Sequence, residues 1–240
     1  MILVTGANGG IGQHIIRHLL MCDHRDIVCH YRSDHALVDR TLQEFGLDPA
    51  RHAYQADLTD ERSVELMAGR ISNDHAPVTR LVNVAGSSSN GMSWKLSKED
   101  FMRVLENNLL TTFLSCKAFV PAMRENRFGR IVNFSSIVAF TGIAGAAHYA
   151  AAKSGLVGFT KSLALELAGR GITANAVALG YFNTGLINSV PEAMQEEIRQ
   201  RIPMARFGDQ QDVGSTVGYL IGKDSSFMTG QVMQLNGGQY

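Results

Sequence analysis

Three residues in the middle of the chain have types and spacing that could do chemistry. The apolar run Ile131-Val-Asn-Phe ends in Ser135 and Ser136; Tyr149 follows Ser136 by thirteen residues, and Lys153 follows Tyr149 by four. On a helix, i and i+4 share a face, so Tyr149 and Lys153 would project side by side. An ammonium beside a phenol favours the phenolate and draws its pKa down. A Tyr tuned in this way can give or take a proton near neutral pH, which a free Tyr cannot. The same spacing also occurs on ordinary surface helices, so the elements that position the three residues must decide.

Those elements alternate. Ile2–Thr5 reads as a strand closed by the turn Gly6-Ala-Asn-Gly-Gly-Ile-Gly12, and Gln13–Met21 has helical periodicity. Further strands are expected over 26–31, 52–58, 80–85, 130–134, 172–179 and 231–235. Helices are expected over 37–45, 60–72, from near Ser97, over 149–170, between Pro191 and Pro203, and over 209–221. The strands are continuously apolar rather than alternating, which predicts a parallel sheet covered on both faces. The fold class is therefore α/β, a three-layer, doubly wound parallel sheet. With no linker, repeat or low-complexity stretch, residues 1–240 read as a single domain.

Composition narrows the function classes. Gly is abundant at 24 against 5 Pro, which suits tight βα turns. Lys+Arg and Asp+Glu balance at 22 each, so no global charge favours nucleic acid or an anionic membrane. The five basic positions near 124–130 and 170 are aromatic-poor and do not form a nucleic-acid stripe. Cys22, Cys29 and Cys116, odd in number and irregularly spaced, predict reduced thiols in a cytoplasmic protein. No basic and apolar leader precedes the first strand, and no apolar run approaches the roughly 20 residues of a membrane helix. His14 and His18 share a helix face but have no third partner for a metal, His148 has no assignable partner, and no G-x-S-x-G elbow supports a hydrolase.

The turn Thr5-Gly-Ala-Asn-Gly-Gly-Ile-Gly12 lies at the first strand–helix crossing. Its glycines permit a tight turn and a close backbone approach, and aim a helix N-terminus at a phosphate. Taken with Asn83-Val-Ala-Gly86, Ser136 and Tyr149-x-x-x-Lys153, the chain resembles the short-chain dehydrogenase/reductase family from residue 2 to Asn236-Gly-Gly. The resemblance implies a Rossmann fold with a seven-stranded sheet, a nicotinamide coenzyme and carbonyl–alcohol redox chemistry. It makes Tyr149 the proton donor, Ser136 the group that orients the carbonyl oxygen, and Lys153 the residue that holds the nicotinamide ribose and lowers the Tyr149 pKa. Asn108 would continue the proton relay. Ser136 is preferred to Ser135 because its separation from Tyr149 is the commonest in the family.

Coenzyme contacts carry across in the same way. Gly6, Asn8, Gly10, Ile11 and Gly12 would form the phosphate turn. Asp57 with Leu58 would meet the adenine, and Asn83, Ala85 and Gly86 would border the adenosine ribose. Thr184 would reach the nicotinamide carboxamide, with Leu179 standing where the family has proline. The second strand ends in Arg32-Ser33 with no acidic residue, and a guanidinium suits a 2′-phosphate where a carboxylate would repel it. NADP(H) is the expected coenzyme, as a preference, since Asn8 and Gly9 stand where NADP enzymes often carry a basic residue.

Within the family the chain is most similar to the 3-oxoacyl carrier-protein reductases, above all over Ile131–Leu167. That likeness implies reduction of a 3-oxoacyl thioester to the 3-hydroxyacyl form, with Arg127 and Arg170 beside the cleft as a docking pair for an acidic acyl-carrier protein. It also implies a homotetramer held by the two long helices and the final strand. Residues 181–206 would form a substrate lid, with Met194, Ile198 and Ile202 toward an apolar acyl chain. Reduction of a free small ketone, sugar or other secondary alcohol is the alternative. A non-catalytic NADP-binding relative is disfavoured, because all four catalytic positions are filled.

Overall fold

A computed structural model describes residues 1–240, except for the side chains of Leu186 and Ser189. β1 (Ile2–Thr5) leads through the glycine turn into α1 (Gly10–Met21), whose Ile15, Ile16, Leu19 and Leu20 form one buried stripe. β2 (Ile27–Tyr31), α2 (Ala36–Glu44), the one-turn α3 (Pro49–His52) and β3 (Ala53–Gln55) follow. Next come α4 (Glu61–Asp74), β4 (Arg80–Asn83) and α5 (Lys98–Leu105), which continues through a π-helical turn (Glu106–Leu110) into α6 (Thr111–Asn126). β5 (Gly129–Ser136), the short α7 (Val138–Thr141), α8 (Ala147–Leu167) and β6 (Ile172–Leu179) follow. α9 (Glu192–Gln200), α10 (Gln210–Ile221) and β7 (Val232–Leu235) complete it.

The strands form one sheet of seven in the order β3-β2-β1-β4-β5-β6-β7, all neighbours parallel. Successive residues of a strand face opposite sides, so β1 sends Leu3 into one core and Ile2 and Val4 into the other. Leu3, Leu81 and Ile131 pack under α4, α6 and α8 through Met67, Phe119 and Leu163. Val4, Val82 and Val132 pack under α1 and α10 through Ile16, Leu19 and Val217. Burying a Leu or Ile side chain contributes about 1.5–3 kcal/mol, so this two-sided burial dominates the stability of the fold. Because all strands run the same way, their carboxyl ends share one edge. The strand order reverses between β1 and β4, and ligands of such sheets bind in the crevice at that point.

Local chemistry sets several boundaries. Ser97 caps α5 by accepting from the Asp100 amide, Asp60 caps α4 through Arg62 and Ser63, and Asp209 and Asp212 form a reciprocal box that starts α10. Two features depart from expectation. The third strand is shorter than 52–58, because Asp48 and Pro49 start α3 before it and the Asp57 carboxylate accepts from the Thr59 amide after it. The long helix from Ser97 is broken by its π-helical turn, a feature that often marks a functional site.

Candidate active site

At the glycine turn, Gly6 has φ +65°, and a Cβ there would lie 2.8 Å from the Ala85 Cα. A Cβ on Gly12 would lie 2.3 Å from the Gly6 carbonyl oxygen. The Thr5 hydroxyl accepts from the Val84 and Ala85 amides at 3.1 and 3.2 Å, tying the turn to the one after β4. Gln13 is buried and donates to the Ala7 carbonyl while accepting from Thr41. α1 carries no acidic residue in its first turn to oppose the positive end of its dipole. This cradle of bare glycines and unopposed amides fits the diphosphate of a dinucleotide.

The residues expected around the adenosine have divided roles. Arg32 donates to Asp57 at 2.9 Å, so the two coenzyme candidates form an ion pair at the rim, with Arg32 61% exposed and Ser33 exposed beside it. Burial works to raise the Asp57 pKa, but hydrogen bonds from Thr59 and the Arg32 guanidinium outweigh it and leave the carboxyl below its usual value. Ala85 and Gly86 retain exposure along the groove. Asn83 and Leu58 do not. The Asn83 amide is buried and donates to Asn133 at 2.9 Å, and Asn133 donates in turn to Thr160 of α8. Leu58 places its side chain in the core. Asn83 thus ties β4 through β5 to α8 from behind the groove, and only the backbone of Leu58 is left for a ligand.

At the carboxyl end of β5 the structure separates the two serines. Ser135 donates to the Lys153 carbonyl at 2.8 Å and is used up as a brace for α8. The Ser136 hydroxyl accepts from the Val138 amide at 3.2 Å and lies near enough to the Tyr149 phenol to oppose the rise in its pKa. Lys153 lies with its Nζ 5.6 Å from the Tyr149 ring centre, so the two share a helix face. The expected tuning is reversed, however. Burial raises the Tyr149 pKa, with the Ser136 hydrogen bond opposing it. Lys153 donates to the Phe134 carbonyl at 2.8 Å and, fully enclosed, has its own pKa pushed down to about 8. Desolvation is the largest cause for each group here.

Asn108 sits in the π-helical turn, fully buried, and donates to the Ser87 and Val104 carbonyls at 2.7 and 2.8 Å. Its Oδ1 is buried with no partner among the described residues. A Cβ on Gly86 would lie 2.5 Å from that oxygen and 3.5 Å from the Lys153 Nζ, so acceptor and ammonium converge over Gly86. A buried acceptor left open beside a cation fits a site that passes protons. Two residues not singled out for the site also border the cleft, one on each side. His148 is buried next to Tyr149 and pairs through Nε2 with Ser89 at 3.0 Å, fastening the loop after Gly86. His30 holds the glycine turn. Nothing in the local sequence marks either partner, since each pair is far apart along the chain.

Thr184 reaches the glycine turn from the other side: a Cβ on Gly10 would fall 2.0 Å from its Oγ1. Leu179 in place of proline leaves the backbone path intact, because Gly180 donates to the Leu235 carbonyl at 2.9 Å and Ile137 to the Leu179 carbonyl at 2.8 Å. Within 181–206, Ile187 and Ile202 are buried with Phe207 in a small core of their own, against which Tyr181, Val190 and Ile198 pack. Ile198 and Ile202 therefore hold the segment together instead of facing a ligand, and Met194 is exposed.

Arg127 and Arg170 are brought together, but not beside the cleft. Arg127 ends α6 in a left-handed conformation and Arg170 closes the turn after α8, immediately before the paired starts of β5 and β6. Ser136 is at the far end of β5, seven residues from Gly129, a span of roughly 23 Å at about 3.3 Å per residue. Among the described residues no His, Cys, Asp or Glu group could hold a metal ion, and no helix is long and apolar enough to cross a membrane. The three cysteines are free, with the buried Cys29 and Cys116 thiols pushed up to about 12 by burial.

The family model described as "Enoyl-(Acyl carrier protein) reductase" matches residues 6–239. The chain is 34% identical over 246 residues to the 3-oxoacyl-(acyl-carrier-protein) reductase FabG of Haemophilus influenzae, with 99% of this chain and 97% of that protein covered. It is 35% identical over 240 residues to the protein of the same name from Aquifex aeolicus, covering 99% and 96%. The identity to that of Rickettsia felis is 36% over 241 residues, covering 98% and 95%.

Proposed function

The chain belongs to the short-chain dehydrogenase/reductase family, and we propose that it reduces the keto group of a 3-oxoacyl thioester borne by an acyl-carrier protein, using NADPH. The observation that carries the reaction type is the convergence of Ser136, Tyr149, Lys153 and the open Asn108 acceptor beside the glycine cradle. Full-length similarity to proteins named 3-oxoacyl-(acyl-carrier-protein) reductase supports the substrate class. Arg32 at the end of β2 supports NADPH, as one nitrogen engages Asp57 and the rest of the guanidinium remains for a 2′-phosphate.

Bound NADPH would supply the hydride to the keto carbon. Tyr149 donates its proton to the carbonyl oxygen, so hydride and proton together give the 3-hydroxy product. The Ser136 hydroxyl donates to the same oxygen and orients it. Lys153 stabilises the phenolate left behind, and Asn108 links that ammonium to the proton supply. Thr184 brings the segment 181–206 over the glycine turn as a lid on the single 1–240 domain.

The working form is a homotetramer in the cytoplasm. α5, α6 and α8 leave a trough lined by Met102, Leu109, Phe113 and Phe159, and Phe227 beside β7 is fully exposed, faces that suit contact between copies. A carrier docked at Arg127 and Arg170 would then serve the cleft of another copy, because one protomer separates the pair from Ser136 by the length of β5. That same separation keeps free-ketone reduction as the second reading. NADPH consumption with acetoacetyl carrier protein, a small acetoacetyl thioester and free ketones distinguishes them. The carrier substrate should lead in kcat/KM, and Arg127→Glu with Arg170→Glu should lower it more for the carrier than for the small thioester. A free ketone preferred over both thioesters would overturn the proposal, and an NADH advantage over NADPH would overturn the coenzyme choice.

A further inference from the structure

His30, the penultimate residue of β2, is almost fully buried and makes three contacts that meet at the coenzyme side of the cleft. Its Nδ1 accepts from the Gly6 amide at 3.0 Å, and its backbone carbonyl accepts from the Ala7 amide at 2.9 Å. Its Nε2 lies 3.0 Å from the Ala56 carbonyl, immediately before Asp57. An imidazole that accepts at Nδ1 and faces a carbonyl at Nε2 is neutral, with its proton on Nε2. Burial, acting against the Ala56 hydrogen bond and the Asp57 charge, moves its pKa down to about 4, in keeping with that form. Gly6 has a φ of +65°, past the end of β1, and its part-buried amide finds its partner in the His30 ring.

We propose that His30 is a positioning residue for the coenzyme, a neutral strut that sets the glycine turn at a fixed distance from the Ala56–Asp57 corner. The phosphate end and the adenine end of the site are then registered on one ring. This rests on the nicotinamide-coenzyme reading above.

Two conservative variants split the ring into its halves. Asn places an acceptor where Nδ1 was, and Gln places an amide where Nε2 was. NADPH affinity is read by fluorescence titration without substrate, alongside KM, kcat and thermal stability. His30→Asn should keep the Kd for NADPH within about threefold, while His30→Gln should weaken it about tenfold, because only Gln leaves the Gly6 amide unpaired. The loss should appear in the KM for NADPH with kcat nearly unchanged. Equal Kd values for the two variants and the wild type would overturn the role, whatever their stability. In the wild type, the ring nitrogens of His30 should report the Nε2–H form and shift on NADPH addition; a ring blind to NADPH would also overturn it. A wild type that binds neither NADPH nor NADH would remove the coenzyme reading and this proposal together. Normal wild-type binding beside an unaffected Gln variant removes only the role of His30.

Discussion

The glycine-turn side of the cleft is held by neutral groups: the Thr5 hydroxyl and the His30 ring accept from backbone amides of the two turns, and the Gln13 amide donates to the Ala7 carbonyl. The β5–α8 side carries groups that titrate, with Lys153 buried and donating to the Phe134 carbonyl and Tyr149 beside Ser136. On the first side, shape is fixed by where a Cβ cannot go, as at Gly6 and Gly12. On the second, function requires ionisable side chains to be desolvated, which costs stability and is supported only by specific carbonyl and hydroxyl partners. The two sides meet at Gly86, where a Cβ would lie close to both the Asn108 acceptor and the Lys153 ammonium.

If the sides are separable, removing the proton donor should leave the other untouched. Tyr149→Phe is expected to lower kcat by about 10³-fold or more, in line with the loss of a positioned general acid, with the Kd for NADPH unchanged. Near-wild-type kcat in single-turnover assays would break the assignment of Tyr149. A smaller effect is expected at the seam. Gly86→Ala would put a methyl 2.5 Å from the Asn108 Oδ1, and displacing the relay should lower kcat about ten- to a hundredfold. Wild-type turnover in that variant would mean that Asn108 does not carry protons here.

How far the sequence reaches follows the same division. The glycine turn and the Tyr149–Lys153 pair have local signatures, a turn that only glycine tolerates and a helix face shared at i and i+4, whereas Ser136 and Asn108 were singled out through the family resemblance. The alternation of elements and the continuously apolar strands gave the parallel sheet for the same reason. His30 and the Ser89–His148 pair were not legible, because their partners lie 24 and 59 residues away and no periodicity links them. Asn83 looked like a groove residue by motif, yet its amide is spent on Asn133 in the core. Arg127 and Arg170 are adjacent in space, as expected, but a sequence does not say which edge of the sheet a loop occupies until strand direction is counted from Gly129 to Ser136.

The proton on Lys153 gives the smallest predicted effect and the sharpest contrast with the neutral side. Its pKa falls from 10.5 to about 8 through burial, so the folded protein holds its proton less tightly than the unfolded chain. Below about pH 8 the ammonium is buried at a cost to folding. Between about 8 and 10.5 the unfolded chain binds more protons than the folded one, and stability from this group rises with pH. Lys153→Met should therefore stabilise the protein at pH 7. The full linkage would be about 3 kcal/mol, reduced to roughly 1–2 by leaving the Phe134 carbonyl without its donor. The advantage over the wild type should shrink as the pH rises from 8 to 10, while turnover is lost throughout. Urea denaturation of both proteins across that range measures it. A Met variant that is less stable at pH 7, or a gap that does not change with pH, would mean that the catalytic side is held by the ammonium as structure, and the contrast between the two halves would fall with it.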